Sequence, residues 1–190
     1  MIDERATYEL LRNLTSPVVA VTAAHEGRVN GQIANSGGRA SLIPSIPRVL
    51  VQLSKEHLTH AMVLASGAFC LHLLRTSQVQ MVYRLGFATG HDAPKLTAED
   101  YRLGESGSPI LKECFAYFDC QVSRTLDLGP STLIVGNVLA AGEGAGDGDL
   151  MTSPFWRANM PEAWRPSYEA DLKRAQEFAK KYIASHPDAL

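Results

Sequence analysis

The sequence is short of several things, and each shortage excludes a class of protein. Only three cysteines occur, Cys70, Cys114 and Cys120. An odd number with no CxxC spacing argues against a disulfide framework and against a zinc site. No apolar run approaches the ~20 residues of a membrane-spanning helix. Lys and Arg number 18 against 20 Asp and Glu, a formal net charge of −2 with no basic cluster. A surface that neutralises nucleic-acid phosphates needs such a cluster. The opening residues MIDERATYELL place acids where a secretory leader carries a basic region and then an apolar core. The expectation is a soluble, cytoplasmic protein that binds neither nucleic acid nor membrane. No Ser-His-Asp or Cys-His arrangement is legible among six scattered histidines, so no catalytic residue is assigned. The three thiols read as small buried apolar groups.

What is present is an apolar fraction of 45% in 190 residues, enough for the core of one domain. Continuous or alternating apolar patterns predict strands over 16–24, 28–35, 48–54, 68–74, 114–122 and 131–141. Helices are expected at 3–13, with Asp3 as cap and Ala6, Leu10, Leu11 and Leu14 along one face, and at 57–67 and 77–86. In the second of these, Leu58, Met62 and Ala65 should turn inward, with Gly67 as the stop. Residues 87–108 have no period and read as a long loop, and 142–166 as irregular. A last helix is expected over 167–185, capped by Ser167, with acids in its first turn and lysines in its last. Its stripe of Tyr168, Leu172, Ala175, Ala179 and Tyr182 fits packing on the body or another subunit, and equally a lid over its own barrel. Six mostly antiparallel strands with short helices and no βαβ rhythm predict a mainly β fold with flanking helices, a closed or split β-barrel.

Three motifs bear on function. The Gly-rich 142-GEGAGDGD-149 lacks a following amphipathic helix that could aim its N-terminus at a pyrophosphate, so it reads as a turn. His57 and His60 lie three apart on an expected helix, but no third ligand accompanies them and no metal is expected. His72, inside an expected strand, reads as a satisfied core residue. The segment 54-SKEHLTH-60 places Lys55, His57 and Thr59 at a strand-to-helix junction. Unpaired N–H groups and the positive end of a helix dipole favour a phosphate there, although an ordinary helix start with a solvated lysine gives the same pattern. The stretch 30-NGQIANSGGRASLIPSIP-47 is poor in bulk although it lies between two core strands. A ligand filling the space that its side chains leave empty accounts for that.

Pro17–Thr22, Asn30-Gly31, Ala34-Asn35-Ser36, Pro47, Ser54-Lys55, Leu58-Thr59-His60 and Ser66-Gly67 together resemble the flavin reductase-like FMN-binding family. The branch it is most similar to holds FMN-containing electron-transfer proteins and NADH:FMN oxidoreductases, including high-molecular-weight rubredoxins and flavoredoxins. The loop 85-LGFATGHDAPKL-96 is similar to that branch's "GF-x-SGRD-xx-KF", and 108-SPIL-111, 117-YFDCQV-122 and 132-TLIVGNV-138 match its later strands in order. The resemblance implies an FMN-binding split β-barrel over residues 1–152, followed by a C-terminal helical arm over 153–190. It implies that Ala34, Asn35 and Ser36 border the isoalloxazine ring, with Ser16, Pro17 and Asn30 close by. Ser41, Lys55, His57 and Thr59 would hold the phosphate, and Asp92 and Lys95 belong to a loop over the flavin. A homodimer with flavin near the subunit interface is implied as well.

Two departures from the family pattern stand out. Gly37-Gly38-Arg39 replaces a bulky residue and an uncharged polar one, which widens the space beside the ring and adds a cation for the phosphate or for an anionic substrate. Ser131 stands where relatives carry a histidine implicated in nicotinamide docking. The resemblance therefore implies an NAD(P)H-dependent flavin reductase using NADH or NADPH. Two alternatives stay open: an FMN electron-transfer protein reduced by a redox partner or serving a monooxygenase component, and an FMN-dependent reductase of another small substrate.

Overall fold

The computed structural model describes residues 3–11, 14 and 17–188, so Ser16 lies outside the described residues. Along the chain come α1 (Glu4–Leu11), β1 (Val19–His25), β2 (Arg28–Ala34), β3 (Gly38–Arg39), β4 (Arg48–Ser54), α2 (Leu58–Ser66) and β5 (Ala68–Leu73). There follow α3 (Val79–Gly86), β6 (Tyr101–Leu103), β7 (Pro109–Leu111), β8 (Ala116–Asp127), β9 (Ser131–Gly142), α4 (Ser153–Asn159), a 3-10 turn (Glu162–Trp164) and α5 (Arg165–Ser185).

Seven strands form one sheet in the order β2-β1-β5-β8-β9-β4-β3, every neighbouring pair antiparallel, and β6 pairs with β7 apart from it. The expected mainly β, antiparallel barrel-type fold is what the chain adopts. β1 reads VAVTAAH because both of its faces are covered. Val19, Val21 and Ala23 join Val51, Leu53, Val63, Phe69 and Ile134 in one core. Val18 and Ala20 join Leu74, Leu85, Leu111, Met151 and Trp156 in a second, outer core. The β1–β2 hairpin turns on Glu26 and Gly27, both at positive φ (49° and 72°), as a two-residue turn matched to strand twist requires.

α1 starts as expected, with Asp3 Oδ1 accepting from Ala6 N at 3.0 Å, but its apolar face is not buried: Leu11 and Leu14 are exposed. In α2, Gly67 ends the helix in the left-handed region, and Val63 rather than Ala65 joins Met62 inside. The segment 142–166 is less irregular than expected. Thr152 caps α4 by accepting from Phe155 N at 3.3 Å, and Trp156 and Met160 anchor that helix in the outer core. The last helix begins two residues early, at Arg165, so Ser167 lies inside it. Its first turn holds no acid and its last no base. None of its residues is buried. Among the described residues no helix is long and apolar enough to cross a membrane.

Candidate functional site

β2 organises the site because its residues 30, 32 and 34 share one face. At the start of that face Asn30 is buried and donates from Nδ2 to Thr59 Oγ1 at 3.1 Å. Thr59 is itself fully buried on the first turn of α2. The loop after α3 closes on the same point: a Cβ added at Gly90 would sit 2.4 Å from the Asn30 carboxamide. Lys95, from that loop, is buried and donates from Nζ to Leu85 O (2.8 Å) and Gly31 O (3.1 Å), and burial lowers its pKa to about 8. Asn30, Thr59, Gly90 and Lys95, distant in sequence, are thus brought together. Asp92, on the same loop, is exposed.

α2 begins beside them. His57 is its N-cap residue, with extended backbone (φ −90°, ψ 138°) and no side-chain cap, so the helix presents its positive end uncapped. Burial lowers the His57 pKa; Glu56 opposes this, while Lys95, Arg174 and His91 add to it. Lys55, two residues before His57, turns its ammonium to Asp127 and Tyr182. Its Nζ lies 2.8 Å from both oxygens of Asp127 and 2.8 Å from the Tyr182 hydroxyl, and 4.7 Å from the Tyr182 ring centroid. Desolvation works to lower the Lys55 pKa, and its bonds to Asp127 and Tyr182 outweigh it, so the value is raised. Lys55 and Gly129 N hold the Asp127 carboxyl below the usual carboxylate range.

At the far end of β2, four residues and about 13 Å from Asn30, lies the bare stretch. Ala34 is buried, and Asn35 Oδ1 accepts from Ser153 Oγ at 3.2 Å. Ser36 Oγ accepts from Gln52 N (3.1 Å) and donates to Gln52 O (3.0 Å). Gln52 Nε2 in turn donates to Ser131 Oγ at 2.7 Å. On this face Asn30 Oδ1 and Gln32 Oε1 are buried without a hydrogen-bond partner, as is Glu56 Oε2 just before α2. Buried polar atoms are almost always paired, so these two acceptors on one strand face stand out.

Arg39 and Ser41 do not join this strip. With Pro17, Gly37 and Gly38 they line a groove of about 670 Å³ whose floor is Val49, Leu71, Leu73, Phe118 and Val138. Ser41 Oγ bonds only within its own turn, to Ile43. His60 faces Thr132 Oγ1 at 2.9 Å, away from His57, and no cluster of three metal-ligating side chains exists among the described residues. Burial pushes the Cys114 and Cys120 thiols up to about 11 and about 12, so neither is a thiolate nucleophile near neutrality.

Gln32, Gln52, Asp127 and Arg174 of α5 were not anticipated from the sequence, and Tyr182 only as part of the packing stripe of α5. Gln52 carries one faint signal, as the outward polar residue of an alternating strand. The other contacts depend on tertiary placement.

An antiparallel barrel with a cationic junction at one end of a strand and a bare hydrogen-bonding stretch at the other defines a class of cofactor-binding barrels. Residues 11–157 match the family model described as Flavin reductase like domain, and the chain belongs to that family. It is 30% identical over 133 residues to a high molecular weight rubredoxin of Moorella thermoacetica, covering 69% of this chain and 57% of that protein. The chain thus spans little more than half of that relative. It is 31% identical to a ferric-chelate reductase (NAD(P)H) of Archaeoglobus fulgidus, over 70% of this chain and 78% of the relative. Other relatives are named as reductase components of flavin-dependent monooxygenases. Among solved structures, an FMN-binding protein of Thermus thermophilus with bound 1-cyclohex-2-enone superposes with a TM-score of 0.62 at 26% identity, covering 68% of this chain and 71% of that one.

Proposed function

We propose that this chain is an FMN-binding oxidoreductase that passes hydride from NADH or NADPH to flavin. The observation that carries this reading is the pair of orphaned carboxamide oxygens, Asn30 Oδ1 and Gln32 Oε1, between a bare stretch and a cationic helix start. The group fits these residues. A ribityl chain would bring hydroxyl donors for the two acceptors, Lys55, His57 and the α2 N-terminus would hold the phosphate, and Ala34, Asn35 and Ser36 would border the flat ring. Bound FMN supplies the two-electron chemistry that no side chain here provides.

The chain's own residues do the rest. Gln52, tied to both Ser36 and Ser131, fixes the polar edge of the bare stretch. Thr59 acts through Asn30, whose carboxamide it orients. Lys95, held by two carbonyls, pins the loop that carries Asp92 over β2. Pro17, Arg39 and Ser41 approach from the groove side. In this reading residues 1–152 form the flavin-binding unit and 153–190 its arm, in a homodimer. Exposed Leu42, Ile43 and Leu139 around the groove support a second copy there. Three free, buried cysteines fit a reducing compartment such as the cytoplasm. The names of the relatives support a partner that consumes reduced flavin, a monooxygenase component in particular.

A second reading, an electron carrier reduced by a partner protein, is favoured by Ser131. It stands in place of a titratable histidine, and its oxygen is already engaged by Gln52. Anaerobic titration separates the two. NADH or NADPH should bleach the flavin of the loaded protein and turn over added FMN. Bleaching by dithionite alone would leave the carrier.

A further inference from the structure

We propose that the C-terminal helix α5 is a releasable latch on the Lys55 junction, and that a phosphate-bearing ligand displaces it. The inference rests on the flavin reading only for the identity of that ligand.

The two ends of α5 are attached differently. Its N-terminal end is anchored by aromatic packing: Trp164 lies 4.4 Å from Tyr83, and Tyr168 lies 6.2 Å from Phe87, between ring centroids. Beyond that anchor no residue of α5 is buried: Leu172 is 36% exposed, and Ala175, Phe178, Ala179, Tyr182 and Ile183 are only half-buried. Phe178, Tyr182 and His186 pack on one another, at 6.1 Å and 4.2 Å, along the helix itself. The polar contacts from this half to the body land on the two residues that precede the cap of α2. Arg174 Nε meets Glu56 Oε1 at 3.1 Å while its Nη1 meets Asp171 at 3.0 Å, and the Tyr182 hydroxyl meets Lys55 Nζ at 2.8 Å. A helix anchored at one end and held at the other by exchangeable polar bonds is a lid on a hinge.

Lys55 makes the contact competitive. An ammonium has three N–H donors, and here they serve the two Asp127 oxygens and the Tyr182 hydroxyl. A phosphate oxygen gains Lys55 only by replacing one of these. The neutral phenol is the weakest partner, because charge-assisted bonds to an anion are roughly twice as strong as neutral ones. Tyr182 therefore leaves first and takes the distal half of α5 with it. By linkage, phosphate binding and latch closure oppose each other by the same factor in both directions.

The test compares wild type with Tyr182→Phe and Arg174→Ala. Neither side chain is buried, so both variants should fold. FMN and riboflavin, which lacks the phosphate, are titrated into each protein, and hydrogen exchange is followed across 165–185. The latch predicts about fivefold tighter FMN binding by Tyr182→Phe, the scale of one hydrogen bond, with riboflavin unchanged. In wild type, FMN but not riboflavin should speed exchange over 172–185. Weaker or equal FMN binding by Tyr182→Phe would overturn the proposal, the first by making Tyr182 a phosphate ligand. Without any ligand, both variants should already exchange faster over 172–185 than wild type, and equal rates would overturn the latch. If neither flavin binds any of the proteins, the flavin reading fails, and these ligand-free rates still decide the latch.

Discussion

His72 shows how a single buried residue ties the fold to pH. It is fully buried in β5, accepting from Leu111 N at Nε2 (3.0 Å) and donating from Nδ1 to Ala20 O (3.2 Å). The bond from Leu111 N requires the neutral ring, whereas the one to Ala20 O would survive protonation; burial outweighs it and lowers the pKa to about 4. The unfolded chain takes up a proton near the ordinary value of 6.5. This contribution is therefore whole above about pH 6.5 and is lost as pH falls towards 4, up to about 3 kcal/mol in all. Urea midpoints should fall between pH 7 and pH 5 in wild type and fall less in His72→Gln; parallel falls would rule this residue out as the cause. In the proposed site, Lys55 bears on binding instead. Lys55→Ala should weaken FMN by about 1.5–3 kcal/mol, the range of hydrogen bonds to charged groups, and leave riboflavin unaffected. Unchanged FMN affinity would place the phosphate elsewhere. His72 was legible in the sequence as a satisfied core residue because it interrupts an apolar strand. The partners of Lys55 were not, because Asp127 and Tyr182 reach it from 72 and 127 positions further along the chain.

At the scale of elements, strands β1, β2, β4 and β5 follow directly from their alternating or continuous apolar runs. The helix ends were read less well, and for identifiable reasons. α5 starts at Arg165 because Pro166 is preset for a first helical turn, which outweighs Ser167 as a cap. α4 had the same signal, Thr152 before Ser153-Pro154, inside a segment expected to be irregular and to hold no amphipathic helix after its glycines. The bare stretch shows what sequence reading could and could not supply. Its lack of bulk was plain, but the two glycines differ in a way that only packing reveals. A Cβ at Gly37 would lie 2.9 and 3.0 Å from the methyls of buried Val19, whereas one at Gly38 would meet Leu50 at an ordinary 3.5 Å. Val19 is β-branched and has little freedom to yield. Gly37→Ala should lower stability by about 1–3 kcal/mol, and Gly38→Ala should change it by much less. Equal melting temperatures for the two variants would show that the β2–β3 crossing is looser than these contacts require.

For the molecule as a whole, the curled sheet encloses one core and leaves a second outside it, under α3 and α4. β2, at one edge of the sheet, runs between that barrel and the start of α2. It carries two buried acceptors without donors, Asn30 Oδ1 and Gln32 Oε1, the place proposed above for the flavin's ribityl chain. The architecture was legible from strand count and spacing; the convergence of Asn30, Thr59, Gly90 and Lys95 was legible only through the family resemblance, because no local pattern encodes it. The most direct test is to equilibrate the protein with FMN, pass it through a desalting column, and record the visible spectrum of the protein fraction. Flavin absorption should travel with the protein in stoichiometric amount. A colourless protein fraction, with all the flavin in the small-molecule volume, would contradict the account.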